Sequence, residues 1–115
     1  MGDGMKRAWF AAVFGWVAIA FATPSYAGPA VATRYQKAAM AQEACLARAE
    51  AAIRNSNLDK LERTEQSRYG QQREYTGVVR CVTENGIVLF IGSGPARDIA
   101  DKLAGALFHH WTESK

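Results

Sequence analysis

Tyr75-Thr76-Gly77-Val78-Val79-Arg80-Cys81-Val82-Thr83, then Asn85-Gly86, then Ile87-Val88-Leu89-Phe90-Ile91, is the stretch that decides the fold. Two runs rich in β-branched and aromatic residues flank Asn-Gly, the pair best able to supply the positive φ of a tight hairpin turn. A period of two along the first run puts Gly77, Val79 and Cys81 on one face and Val78, Arg80 and Val82 on the other. The second run is apolar on both faces, as an internal strand must be. The spacing therefore predicts an antiparallel hairpin with strands over 75–83 and 86–91.

Downstream, Gly92-Ser93-Gly94-Pro95 reads as the end of the strand and the opening of a last helix. Pro95 suits a first helical turn, and Asp98 and Asp101 complement the positive N-terminal end of the helix dipole. Ala96, Ile99, Leu103, Ala106 and His110 form a stripe at helical spacing, with Leu107 beside it. Upstream, Thr33-Arg34-Tyr35-Gln36 fits a capping box, which predicts a helix from Thr33 to about Arg54, ended by Asn55-Ser56-Asn57. Its apolar face would be Tyr35, Ala38, Ala41, Cys45, Ala49, Ala52 and Ile53. Residues 59–74 between them are half charged, with Leu61 and Tyr69 placed on one face of an edge strand or held in a solvated loop. Gly70-Gln71-Gln72 then reads as a turn. The expected fold is α+β: a helix, a three-stranded antiparallel sheet made of an edge strand plus the hairpin, and a helix. Both helices cover one face, and one disulfide ties the first of them to the sheet.

The N-terminus has the three parts of a secretory signal. Met5-Lys6-Arg7 is basic, Ala8 to Ala22 is an apolar run, and Ser25-Tyr26-Ala27 follows the helix-breaking Thr23-Pro24. The run is shorter than the roughly 20 residues a spanning helix needs. Cleavage is expected after Ala27, with Ala30-Val31-Ala32 as a second small-residue site. Asp3 ahead of the basic pair points to Met5 as the true start. Of 115 residues, 88 then remain in a single small α+β domain, residues 28–115. That length excludes a two-domain enzyme or a repeat array. The remaining chain carries 12 Lys and Arg against 10 Asp and Glu, a net charge of +2, with no basic block. Nucleic acid is therefore not an expected partner. The expected address is periplasmic or secreted, with no stable membrane anchor after cleavage.

Cys45 and Cys81 are the only cysteines, and an even count in an exported chain argues for a disulfide between them. Cys81 must then face the first helix, and Val79 goes inward with it. The opposite face of the sheet would carry Val78, Val82 and either Val88 with Phe90 or Leu89 with Ile91. Such an apolar patch on a small domain marks a partner site. Arg68, Tyr69, Val78, Arg80 and Val82 are the candidate interaction face, because Arg and Tyr are favoured interface anchors.

Chemistry has few candidates. Gly92, Ser93 and Gly94 before a helix would let backbone N–H groups approach an anion, although they match no phosphate-binding fingerprint. His109 and His110 are adjacent, so they diverge by about 100° on a helix and do not converge on a metal. Glu62 with Glu65, and Asp98 with Asp101, pair carboxylates without a nucleophile beside them, and neither Ser67 nor Ser93 has a nearby His or Lys. The expectation is no enzyme, no metal and no cofactor.

Tyr75-Thr76-Gly77-Val78-Val79-Arg80-Cys81 and Gly86-Ile87-Val88-Leu89-Phe90-Ile91-Gly92-Ser93-Gly94-Pro95 resemble segments of small uncharacterised exported proteins of Gram-negative bacteria. These similarly pair an early helical Cys with a hairpin Cys and close with a helix after Gly-Pro. The resemblance covers about Cys45 to Leu107 and implies fold and address, not activity. Three readings follow: a periplasmic interaction module that takes a protein partner or its own copy on the open sheet face; an inhibitor or immunity protein against an exported enzyme or toxin; and a small-ligand or anion binder at Gly92–Pro95.

Overall fold

The computed structural model describes residues 28–114. The signal expected over residues 1–27 lies outside the described residues. Along the chain come β1 (Ala30–Lys37), α1 (Gln42–Asn55), β2 (Asp59–Arg63), β3 (Ser67–Gln72), β4 (Tyr75–Val82), β5 (Ile87–Gly94) and α2 (Arg97–Glu113). A 3-10 turn, Thr83–Asn85, joins β4 to β5, and Gly86 closes it at φ 69°, a left-handed conformation that glycine adopts without strain. The strands form one antiparallel sheet in the order β1-β5-β4-β3-β2. The α+β class, the helices on one face and the disulfide are as expected. The sheet has five strands rather than three.

The first added strand is Ala30–Lys37, which the capping-box pattern assigned to a helix. Val31, Thr33, Tyr35 and Lys37 point one way, and Ala30, Ala32, Arg34 and Gln36 the other, a period of two that suits a strand. Without this strand, β5 would be a sheet edge although it is apolar on both faces, a costly arrangement that the β1–β5 ladder removes. Tertiary pairing thus outweighs a local capping preference, and the helix starts only at Gln42.

The second difference is the polar segment, which forms a hairpin of two strands. Thr64 and Ser67 close it: the Thr64 N–H donates to the Ser67 carbonyl at 3.0 Å, and the Ser67 N–H to Thr64 Oγ1 at 3.0 Å. Gly70-Gln71-Gln72 is strand, not turn; the chain reverses at Arg73-Glu74, with Arg73 at φ 57°. Leu61 packs on the core, while Tyr69 points to the opposite face.

The core lies between the sheet and the two helices. Cys45, Ala49, Ala52 and Ile53 of α1 meet Val79 and Cys81 of β4, and the Cys45–Cys81 disulfide links the layers. Phe90 of β5 contacts Phe108 and Trp111 of α2 edge-to-face, at centroid distances of 5.5 and 5.8 Å. The buried stripe of α2 is Ala100, Ala104, Leu107 and Trp111, about one position round from the stripe expected, and Ile99 is exposed. The offset follows from size, since Ala100 and Ala104 let the helix settle directly on Gly92 of β5. Arg48 of α1 stacks over the Trp111 ring at 3.9 Å and donates to the Trp111 and Thr112 carbonyls, so a cation caps the negative end of α2.

One carboxylate joins α1 to the β2–β3 hairpin. Glu50 accepts from Arg63 Nε at 2.8 Å and Arg68 Nε at 2.7 Å, with Arg54 one turn along the helix. Those guanidinium bonds, above all the one from Arg63, hold the Glu50 pKa at about 2 against an ordinary 4.5. Because the folded-state value is the lower one, the ionised carboxylate favours folding. That contribution is complete above pH 4.5 and is lost as pH falls toward 2. The stability difference between the wild type and Glu50→Gln should therefore be largest at neutral pH, at about 1–2 kcal/mol given the exposed Arg63. Urea unfolding from pH 7 to 2 should show it shrinking toward zero.

Candidate functional site

Both helices lie on one side, so the other face of the sheet is bare among the described residues, and its rows follow from the register. One row runs Thr33–Ile91–Val78–Tyr69–Glu62 across β1, β5, β4, β3 and β2. The next runs Tyr35–Leu89–Arg80–Ser67, and a third Lys37–Ile87–Val82. Leu89 and Ile91, not Val88 and Phe90, thus join Val78 and Val82 on this face, because Phe90 is fully buried under α2. The result is an aliphatic centre of Ile87, Leu89, Ile91, Val78 and Val82, with Tyr35 and Tyr69 toward its two sides.

Arg80 is the one cation within that centre. Its guanidinium donates to Gln66 Oε1 at 2.6 Å and to Ser67 Oγ at 3.2 Å. These bonds restrain the side chain over the fully buried Ser67 while leaving Arg80 exposed. A pre-positioned guanidinium loses less entropy on docking than a free one.

Of the residues expected on this face, Val78, Arg80, Val82 and Tyr69 lie there. Arg68 does not: it stands opposite Val79 in the register, on the helix side, where it binds Glu50 and the Thr64 carbonyl. Adjacent residues of a strand point to opposite faces, so Arg68 and Tyr69 could not share the open one, and the expectation that placed both there overlooked that alternation. Sequence reasoning also missed Val31 and Tyr35, 52% and 69% exposed on β1. The alternation Val31-Thr33-Tyr35 was the signal that could have found them.

The glycine-rich segment is built differently from an anion cradle. Gly92, Ser93 and Gly94 are residues of β5, and neither glycine has a positive φ. A Cβ on Gly92 would stand 2.2 Å from the Ala100 carbonyl oxygen, so glycine here lets α2 approach the sheet. Gly94 lies against the Tyr75 ring, whose hydroxyl accepts the Ala96 N–H at 3.1 Å, occupying a donor at the start of α2. A depression of about 570 Å³ beside it is lined by Gly28, Pro29, Glu74, Gly94 and Pro95, and the Glu74 carboxylate would repel an anion there.

The remaining candidates are dispersed. Asp101 is bonded to Arg34 at 3.2 Å, and Asp98 is exposed on the same helix. Glu62 sits on β2, whereas Glu65 lines a polar depression with Gln42, Gln66, Thr83 and Glu84. His109 and His110 are neighbours near the end of α2 with ring centroids 5.2 Å apart. Cys45 and Cys81 are bridged and fully buried. No helix among the described residues is long and apolar enough to cross a membrane. Comparisons with protein-family models, curated proteins and solved structures find no match to this chain.

Proposed function

We propose that this chain is a non-catalytic interaction module, exported to an oxidising compartment such as the periplasm, that docks a protein partner on the open face of its sheet. The observation that carries the reading is the contiguous aliphatic centre Ile87–Leu89–Ile91–Val78–Val82, rimmed by Tyr35, Tyr69 and Lys37 and containing a restrained Arg80. An apolar core with aromatic and Arg anchors and a polar rim is the composition of a protein-binding patch. The address rests on the closed Cys45–Cys81 bridge, which persists in oxidising compartments and is rare in reducing ones. The same bridge, with a last helix after Gly94-Pro95, supports membership of the exported proteins the chain resembles.

Val82→Asp tests the reading, because Val82 is half-buried on the open face and away from the core cluster. The variant should keep its disulfide and near-ultraviolet circular dichroism. It should lose the partner that accompanies the wild type in native mass spectrometry of an extract from the producing cell's envelope. Loss of the fold in the variant would show the face to be core, and a wild type that carries no partner would remove the proposal.

A further inference from the structure

The two edges of the sheet are not alike. β2 has the features that block edge-to-edge pairing: it is five residues long, carries Asp59, Lys60, Glu62 and Arg63, and its register is broken near Lys60, which sits at φ 57°. β1 is neither short nor broken, and of its two charges Arg34 is paired with Asp101 while Lys37 stands at its last residue. It pairs with β5 over eight unbroken residues, contains no proline, and holds Val31 and Tyr35, the most exposed large apolar side chains of the described sheet.

The hydrogen-bond parity of that edge is readable. The Ala38 N–H donates to the Gly86 carbonyl at 2.9 Å, continuing the β1–β5 register by one step. In an antiparallel ladder such bonds involve alternate residues, so Ala32, Arg34 and Gln36 bond β5, and Val31, Thr33, Tyr35 and Lys37 turn their N–H and C=O groups to the free edge. The Val31 carbonyl agrees, since its partner is a long 3.4 Å bond from the exposed Arg97 rather than β5.

We propose that β1 pairs antiparallel with β1 of a second copy about a two-fold axis at Thr33, joining the two sheets into one of ten strands. Charge and the cover of the exposed apolar side chains select this register among those the parity allows. Thr33 opposes its own copy, Val31 opposes Tyr35 and Ala32 opposes Arg34, so each exposed apolar side chain covers the other and no like charges meet. Moving the axis to Arg34 would place Arg34 against Arg34, which opposite-strand geometry penalises, and moving it to Ala32 would set Tyr35 opposite Pro29 and Val31 opposite Thr33, so that the exposed apolar side chains no longer cover each other. The Arg97 bond to Val31 yields its place to the incoming Tyr35 N–H. This contact uses the edge, not Val82, so its failure and that of the open-face reading are separable.

The register makes a specific test. Thr33 pairs across the axis at a Cα separation of about 5.5 Å, within disulfide reach, whereas Val31 and its copy lie about 13 Å apart along the strands, as do the two Tyr35. With the native bridge closed, mild oxidation of Thr33→Cys should give a covalent dimer, and Val31→Cys and Tyr35→Cys should not. Thr33→Pro removes two symmetry-related edge bonds without touching the β1–β5 ladder, and should weaken the dimer in sedimentation equilibrium by on the order of tenfold. A protein monomeric at every concentration, cross-linking at Val31 or Tyr35 as fast as at Thr33, or a dimer indifferent to Thr33→Pro when that variant folds, would each overturn the proposal. If Thr33→Pro fails to fold, the three cysteine variants decide alone.

Discussion

Replacing Trp111 by alanine should cost about 3–5 kcal/mol of unfolding free energy, the usual range for deleting a large buried aromatic. The side chain is fully enclosed and touches each layer: Phe90 of β5, the Arg48 guanidinium of α1, and the Cys45 carbonyl, to which its indole N–H donates at 3.3 Å. Truncation opens a cavity at the point where α2 meets α1 and the sheet, and it leaves Arg48 with no ring to cover. Trp111→Phe separates the contributions in large part, because it keeps a six-membered aromatic ring in the site and deletes the indole donor together with the smaller ring that carries it. It should cost about 1–2 kcal/mol, and denaturant titration of both variants gives the comparison. A near-equal loss for the two would place the weight on the Cys45 hydrogen bond instead of on packing.

Cys45→Ala combined with Cys81→Ala should lower stability by about 3–4 kcal/mol, from the chain entropy that a bridge closing this loop removes from the unfolded state. The separation of 36 residues spans most of α1, all of β2 and β3, and β4 as far as Cys81, so the reduced unfolded chain regains freedom over the middle of the described fold. A domain of this size has a total on the order of 5–15 kcal/mol, and a loss of that magnitude brings it near its threshold. Equilibrium unfolding of the oxidised protein, with and without reductant, measures the same quantity without substitution. Because Trp111 bonds the Cys45 carbonyl, the two losses should not add, and a triple variant would reveal the coupling.

Much of the fold is legible in local sequence. The hairpin from Tyr75 to Ile91 announces itself through Asn85-Gly86 and the period-two alternation around it. The inward placement of Val79 and Cys81 follows once Cys45 is assigned to a helix. The misreadings have one source. Thr33-Arg34-Tyr35-Gln36 is compatible with a helix cap and with a strand, and the two differ little in local free energy, so a distant partner decides. The same ambiguity hid the β2–β3 hairpin: eight charges in sixteen residues leave almost no hydrophobic period from which to read a face. Alternation alone required Arg68 and Tyr69 to part, but which of them would neutralise Glu50 under α1 and which would stand on the open face was left to the tertiary pairing.

The candidate face divides in the same way. Val78, Arg80 and Val82 share a side because successive residues of a strand alternate, a rule that needs no knowledge of the rest of the molecule. Whether Leu89 with Ile91 or Val88 with Phe90 joined them was open, since a strand apolar on both faces carries no mark of its inside. Packing resolved it, because Phe90 meets Phe108 and Trp111 of α2, and those residues come together only when the C-terminal helix lies across the sheet. Covalent chemistry and backbone geometry thus dictated the hairpin and the bridge from sequence alone. The fate of β1, the bare sheet face and its free edge were decided only by tertiary assembly, because each depends on residues far apart in the chain competing for the same neighbours.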